Sequence, residues 1–143
     1  MEQVAIARAI AVMAHRGQKY GTRDYFLAHS WPVAVEVTRL TQGDEYSIAA
    51  AYLHDVLEDT GITEPQLRKA GVDLPVIRLV HTLTRSKAAE RYDEYIERLI
   101  NSERAVRQIK LADLTVNLRN GPKESLVRRY SKARTLIQES LTS

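Results

Sequence analysis

Glycine and proline punctuate this chain sparingly, and their placement limits what it can fold into. The six glycines and four prolines of its 143 residues lie between long helix-compatible segments, and no stretch sustains the apolar–polar alternation of a strand. The pattern predicts an all-α fold, a single domain over 1–143 built as a bundle of about seven or eight helices. A chain of this length buries roughly 68–70% of the surface that its unfolded form exposes, so it needs neither metal nor disulfide merely to fold.

The helices can be placed from their starts and stops. The first spans Glu2–His15, is rich in alanine and carries Val4, Ile6, Ile10 and Met13, and Gly17 stops it. A loop follows from Gly17 to Ser30. The second helix starts near Pro32, where the missing N–H costs nothing, and runs to Leu40. Asp44 is placed to cap a third helix through Leu57. Thr63-Glu64-Pro65-Gln66 reads as a capping box for a short fourth helix ending at Gly71. A fifth starts near Pro75, and Tyr92, Tyr95, Ile96, Leu99 and Ile100 form the stripe of a sixth. Ser102 is placed to cap a seventh, which ends by Gly121-Pro122, and a C-terminal helix covers about 124–141.

Composition excludes several classes of function. With no cysteine, there is no disulfide scaffold, no thiolate zinc site and no cysteine nucleophile. No apolar run approaches the ~18 residues of a membrane span, so no membrane partner is expected. Met1-Glu2-Gln3 lacks the basic region of a secretion signal, which makes the cytoplasm the expected location. The net charge of +3 hides an asymmetry. Residues 104–134 hold Arg104, Arg107, Lys110, Arg119, Lys123, Arg128, Arg129, Lys132 and Arg134 against only Asp113 and Glu124. That segment reads either as a solvated helix face or as a surface for a polyanion.

Polar side chains interrupt the apolar pattern in three places. His54-Asp55-Val56-Leu57-Glu58-Asp59 follows Ile48-Ala49-Ala50-Ala51-Tyr52-Leu53, a run that reads as buried. An imidazole and three carboxylates there are costly unless compensated, and a divalent cation would compensate them. Glu58 and Asp59 also sit where a helix macrodipole disfavours acids. The alternative is a polar helix end in solvent. Asp113 and Asn117, four apart, share a helix face otherwise lined with Leu, Ala and Val, and read either as a ligand pair or as an exposed polar pair. His29 follows Tyr25-Phe26-Leu27-Ala28, and reads as a ligand or as a core or capping residue. His15 and His81 lack such company and read as structural.

Taken together, His29, the doublet His54-Asp55 and the later Asp113 resemble the H…HD…D pattern of the HD-domain metal-dependent phosphohydrolases. His15-Arg16-Gly17-Gln18, Tyr25–His29 followed by Val33-Ala34, the full His54–Asp59 string, and Leu111-Ala112-Asp113 with Asn117-Leu118 are similar to one branch of it. That branch includes the small stand-alone hydrolases of guanosine tetra- and pentaphosphate. The resemblance covers about residues 4–120. It implies that His29, His54, Asp55 and Asp113 bind one divalent cation. Nitrogen and oxygen donors suit Mn, Fe, Co, Zn or Ni, and family precedent favours Mn. It also implies that Glu58 and Asp59 form an acid/base pair. Arg16 would border the nucleotide, Asn117 would contact its ribose or phosphate side, and Lys19, Arg23, Arg85 and Lys87 are further phosphate-binding candidates. Tyr20, Tyr25, Tyr92 and Tyr95 either stack on a base or pack in the core.

The expected activity is therefore hydrolysis of the 3′-pyrophosphate of a guanosine tetra- or pentaphosphate by a metal-activated water. One alternative keeps the chemistry and changes the nucleotide to a deoxynucleotide, nucleoside monophosphate or dinucleotide. Another is a non-catalytic nucleotide sensor, or a nucleic-acid-binding helical domain using the basic segment. A nucleic-acid reader needs no such ligand set, so nucleic acid is not the expected partner. A homo-oligomer is left open.

Overall fold

The protein is described by a computed structural model covering residues 1–142. The chain begins with α1 (Glu2–Ala14), followed by a small hairpin of β1 (Lys19–Tyr20) and β2 (Arg23–Asp24). A π-helical turn over Phe26–Ser30 runs directly into α2 (Trp31–Thr41). Then come α3 (Glu45–Leu53), α4 (Val56–Asp59), α5 (Glu64–Lys69), α6 (Leu74–Leu83), α7 (Tyr92–Ile100), α8 (Arg104–Arg119) and α9 (Glu124–Thr142). The fold is all-α, and the hairpin is its one sheet among the described residues.

Two helices organise the core. In α3, Ser47 through Leu53 are all buried, as befits a helix that is apolar all round. It packs against α1, α2, α6 and α8. In α8, Ile109 through Leu114 are buried, and the helix lies against α2 and α9. Each fully buried Leu, Ile or Val in these helices contributes about 1.5–3 kcal/mol of transfer free energy. The C-terminal end of α3 and the middle of α8 are therefore held within the buried core.

The caps agree in part with the sequence. Asp44 accepts from Ser47 N–H, and Thr63 and Gln66 form the reciprocal capping box of α5. Ser102 does not cap α8; its hydroxyl donates back to Arg98 O, and Glu103 precedes the helix. Met13 is 60% exposed, and Gln3, Ala7, Ile10 and Ala11 form the buried face of α1. The third helix stops at Leu53 rather than Leu57, and the chain restarts as α4 after a break at His54 and Asp55.

The basic segment is partly structural. Arg104 donates to Leu141 O, and Arg107 to Ser140 O, at the C-terminal end of α9, where a helix leaves carbonyls unpaired and carries partial negative charge. Arg134 donates to Thr115, and Lys110 points into the core.

Candidate metal centre

The break between α3 and α4 makes the first half of the site. On a regular helix, consecutive side chains point about 100° apart, so adjacent residues cannot share one target. Here Asp55 adopts φ −105° and ψ 0°, and both neighbours turn to one point, with His54 Nε2 3.0 Å from Asp55 Oδ2. His54 donates its Nδ1–H to Ala51 O at 2.6 Å, which leaves the Nε2 lone pair facing the site. His29 comes from the π-helical turn, where the Trp31 N–H reaches back to Phe26 O. Such an insertion re-aims a side chain that a plain helix would send elsewhere. Asp113 arrives from the buried middle of α8.

The four residues converge, each offering one ligand atom within 4.8 Å of all the others. The Nε2 atoms of His29 and His54 lie 3.3 Å apart. His29 Nε2 is 2.9 Å from Asp113 Oδ1 and 3.4 Å from Asp55 Oδ2, and His54 Nε2 is 3.4 Å from Asp113 Oδ1. Donors bonded to one ion at about 2.1 Å stand about 3.0 Å apart along an octahedral edge and about 3.4 Å along a tetrahedral one. The five observed distances, 2.9–3.4 Å, match that range to within about 0.1 Å. The fit to a divalent cation is good in geometry and in donor chemistry: two imidazoles, two carboxylates and no thiolate.

Electrostatics point the same way. Burial alone would raise the Asp113 carboxyl, but the Lys110 ammonium and the two imidazoles hold it well below the usual range. Asp55 is likewise held low, against burial, by His54 and His29. Burial opposes charge on both imidazoles, yet the carboxylates prevail and raise them. The centre of the cluster stabilises positive charge.

A surrounding set of contacts holds these four side chains. Tyr25 donates its hydroxyl to Asp55 Oδ2, and burial together with that carboxylate keeps the phenol protonated. Lys110 donates to Asp113 Oδ2 at 2.8 Å, and its ammonium also lies 4.9 Å from the Tyr95 ring centroid. Asn117 Nδ2 donates to Asp113 Oδ1 at 3.3 Å. Tyr20 lies nearly parallel to the His29 ring.

The cluster opens into a cavity of about 250 Å³. Glu58, Arg85 and Asn117 line it with the four converging residues, as do Lys87 and Lys110. Arg129 and Tyr130 of α9 complete the wall. Glu58 accepts from the Arg85 backbone N–H at 2.7 Å, and burial raises its carboxyl above the ordinary value. Asp59 is exposed and lies outside this lining, its Oδ2 accepting from Gln18 Nε2 at 3.2 Å. Arg16 and Lys19 are also exposed and outside the lining. Arg23 faces a neighbouring cavity of about 520 Å³, which shares Tyr20, Asn117 and Tyr130 with the first. Tyr25 and Tyr95 are buried and pack, Tyr95 donating to Leu83 O.

Lys110, Arg129 and Tyr130 were not singled out as site residues by the sequence. Lys110 did leave a signal, a charge three residues before Asp113 on an otherwise buried face. Arg129 left none, because nothing in its spacing separates it from Arg128, which is exposed and pairs with Glu124. His81 is exposed and pairs with Glu64, while His15 is buried and its ring packs on Tyr25.

Residues 7–138 match the HD domain family. The chain is 32% identical over 118 residues to a Haemophilus influenzae protein named guanosine-3′,5′-bis(diphosphate) 3′-pyrophosphohydrolase, covering 77% of this chain and 17% of that protein. It is 32% identical over 123 residues to a Brucella melitensis protein named GTP pyrophosphokinase rsh, covering 79% and 16%. The chain thus spans about a sixth of the length of these relatives. A solved structure described as a metazoan ortholog of SpoT that hydrolyzes ppGpp superposes with a TM-score of 0.82 at 24% identity, covering 100% of this chain and 87% of the other. With the family matched from α1 into α9 and His29, His54, Asp55 and Asp113 brought together, this chain belongs to the HD domain family.

Proposed function

We propose that this protein is a metal-dependent phosphohydrolase of nucleotides, and that its substrate is guanosine tetra- or pentaphosphate, cleaved at the 3′-pyrophosphate. The observation that carries the reading is the convergence of His29, His54, Asp55 and Asp113 at the floor of a cavity walled by cations. Arg85, Lys87 and Arg129 have no carboxylate partner among the described residues and suit phosphate oxygens. The names of the Haemophilus and metazoan relatives favour the guanosine substrate. With this substrate, the proposed location is the cytoplasm, with residues 1–143 acting as one domain.

The four ligands would hold one divalent cation, and we propose Mn²⁺. When bound, the cation supplies Lewis acidity toward a phosphoryl oxygen and makes water a better nucleophile at neutral pH. In the reaction, water attacks the phosphorus bonded to the ribose 3′ oxygen, that P–O bond breaks, and pyrophosphate leaves. Glu58 suits the proton transfers, because burial keeps its carboxyl able to hold a proton above the usual acid range. Asp59, hydrogen-bonded to Gln18, would assist from the edge. Asn117 would bind the ribose or phosphate side, Arg85 the phosphates, and Arg16 and Lys19 the outer part of the nucleotide.

The test is purified protein with Mn²⁺, assayed against guanosine tetraphosphate, deoxynucleoside triphosphates, nucleoside monophosphates and dinucleotides. The reading predicts pyrophosphate and a 5′-diphosphate from guanosine tetraphosphate. Turnover of only another nucleotide would move the substrate and keep the chemistry. No product from any of them, with metal demonstrably bound, contradicts the enzymatic reading.

A further inference from the structure

The β1–β2 hairpin reaches across to α8 through two side-chain contacts. Tyr20 donates its hydroxyl to Asn117 Oδ1 at 2.5 Å, and Arg23 donates to Asn120 Oδ1 at 2.6 Å. Asn117 and Asn120 lie three apart on one face of α8, so the hairpin is tied to that helix at two points. Gly21, with φ +64°, lets the chain turn between the strands. The Tyr20 ring lies against the His29 imidazole, with centroids 5.1 Å apart and planes 16° apart. Tyr20 thus closes a ring of contacts: to His29, from His29 Nε2 to Asp113 Oδ1 at 2.9 Å, from Asp113 to the Asn117 amide, and back through the Asn117 oxygen.

We propose that Tyr20 is a positioning residue of the metal centre, stacking on His29 to hold its ring plane and fixing the amide of Asn117 so that its NH₂ faces Asp113. The proposal rests on the reading of the four-residue cluster as a metal site. The physical argument concerns the amide. Turned by 180°, Asn117 would set its carbonyl oxygen against Asp113 Oδ1, two acceptors in contact. The Asp113 carboxylate, which only accepts, selects the opposite orientation, and the Tyr20 hydroxyl reinforces it by donating to the Asn117 oxygen and saturating it. Asn117 then meets Asp113, and anything in the cavity, only as a donor. His29 needs such support from the side, because its Nδ1 is buried without a hydrogen-bond partner. A metal-ligating histidine ordinarily has its ring plane fixed through that second nitrogen. Ring stacking replaces that hydrogen bond here. Tyr20 also lines both the metal cavity and the neighbouring one, so it stands at the boundary between them.

The test is titration of the metal-free protein with Co²⁺, whose visible absorption reports ligand geometry independently of turnover. Tyr20→Phe keeps the ring and removes the hydroxyl; it should weaken Co²⁺ binding roughly tenfold and shift the absorption bands. Tyr20→Ala also removes the stacking and should approach roughly 100-fold. In an Asn117→Ala background, Tyr20→Phe should have no further effect, because its hydroxyl acts through that amide. Thermal melting without metal shows whether Tyr20→Ala still folds, and Tyr20→Phe carries the test if it does not. Wild-type affinity and spectrum in Tyr20→Phe, or additive effects of Tyr20→Phe and Asn117→Ala, overturn the proposal and leave the metal reading standing. Failure of the wild-type protein to bind Co²⁺ removes the metal reading and this proposal with it.

Discussion

Two imidazole Nε2 atoms 3.3 Å apart, with one ring committed through Nδ1–H to a backbone carbonyl, set at least one buried lone pair toward the other ring. Two carboxylates at the same point deepen the negative potential; Lys110 donates to the outer oxygen of Asp113, and Tyr25 donates to the Asp55 oxygen that faces the imidazoles. An arrangement of this kind favours a positive charge at its centre. Glu58 stands apart from it, with its own donor in the Arg85 N–H and a carboxyl raised by burial. If Glu58 acts as the base, it must be ionised, so activity rises as pH climbs through its raised pKa, and that limb lies above the ordinary carboxyl range. Glu58→Gln should retain metal, lose roughly 10²–10⁴-fold in kcat and lose that limb, measured by pH–rate profiles of both proteins at saturating metal. Loss of the metal instead would make Glu58 a ligand.

The elements that carry these side chains differ in how well their sequence announces them. Asp44 and the Thr63–Gln66 box act through local contacts, and the structure contains both. Asp44→Ala should cost about 1 kcal/mol in urea denaturation and leave metal affinity unchanged, since the cap lies at the far end of α3 from His54. The stops at Gly17, Gly71 and Gly121 were equally legible, because they follow from backbone freedom, whereas the stripe of α1 was read only in part, with Ile10 inward and Met13 exposed. Two features that assemble the site were not. The break at His54–Asp55 has no local signature, since Leu53-His54-Asp55-Val56 contains neither glycine nor proline. Pro32 marks the start of a helix but not the extra residue of the π-helical turn before it, and the Ala28 carbonyl that a proline N–H cannot reach accepts from Asn120. The four candidate ligands were readable as residue types at certain separations, whereas their convergence depends on α8 packing beside α2 and α3. Asp59, one residue from Glu58, shows the limit of reading by spacing, because it faces Gln18 and solvent rather than the cavity.

At the scale of the molecule, α9 links the basic C-terminal segment to the site. Arg129 lies 4.6 Å from the Tyr92 ring centroid and lines the cavity, while Arg104 and Arg107 secure the far end of the same helix. Arg129→Ala should raise KM for the nucleotide several-fold with little change in kcat, read from steady-state kinetics, because Arg129 would bind phosphate without touching the reacting water. A metal at this cluster would couple to the whole fold as well, since the four residues come from the α3–α4 break, α8 and the π-helical turn. Adding Mn²⁺ at about 100 times its Kd should stabilise the metal-free protein by about 2.7 kcal/mol, seen as a rise in Tm that EDTA reverses. The most direct test of the account counts ions per chain by equilibrium dialysis against Mn²⁺, for the wild-type protein and for Asp55→Ala. The account predicts one tightly held ion per wild-type chain and none in Asp55→Ala, with the helical circular dichroism of the two largely the same. A wild-type chain that holds no ion, or an Asp55→Ala chain that holds it as tightly, would contradict it.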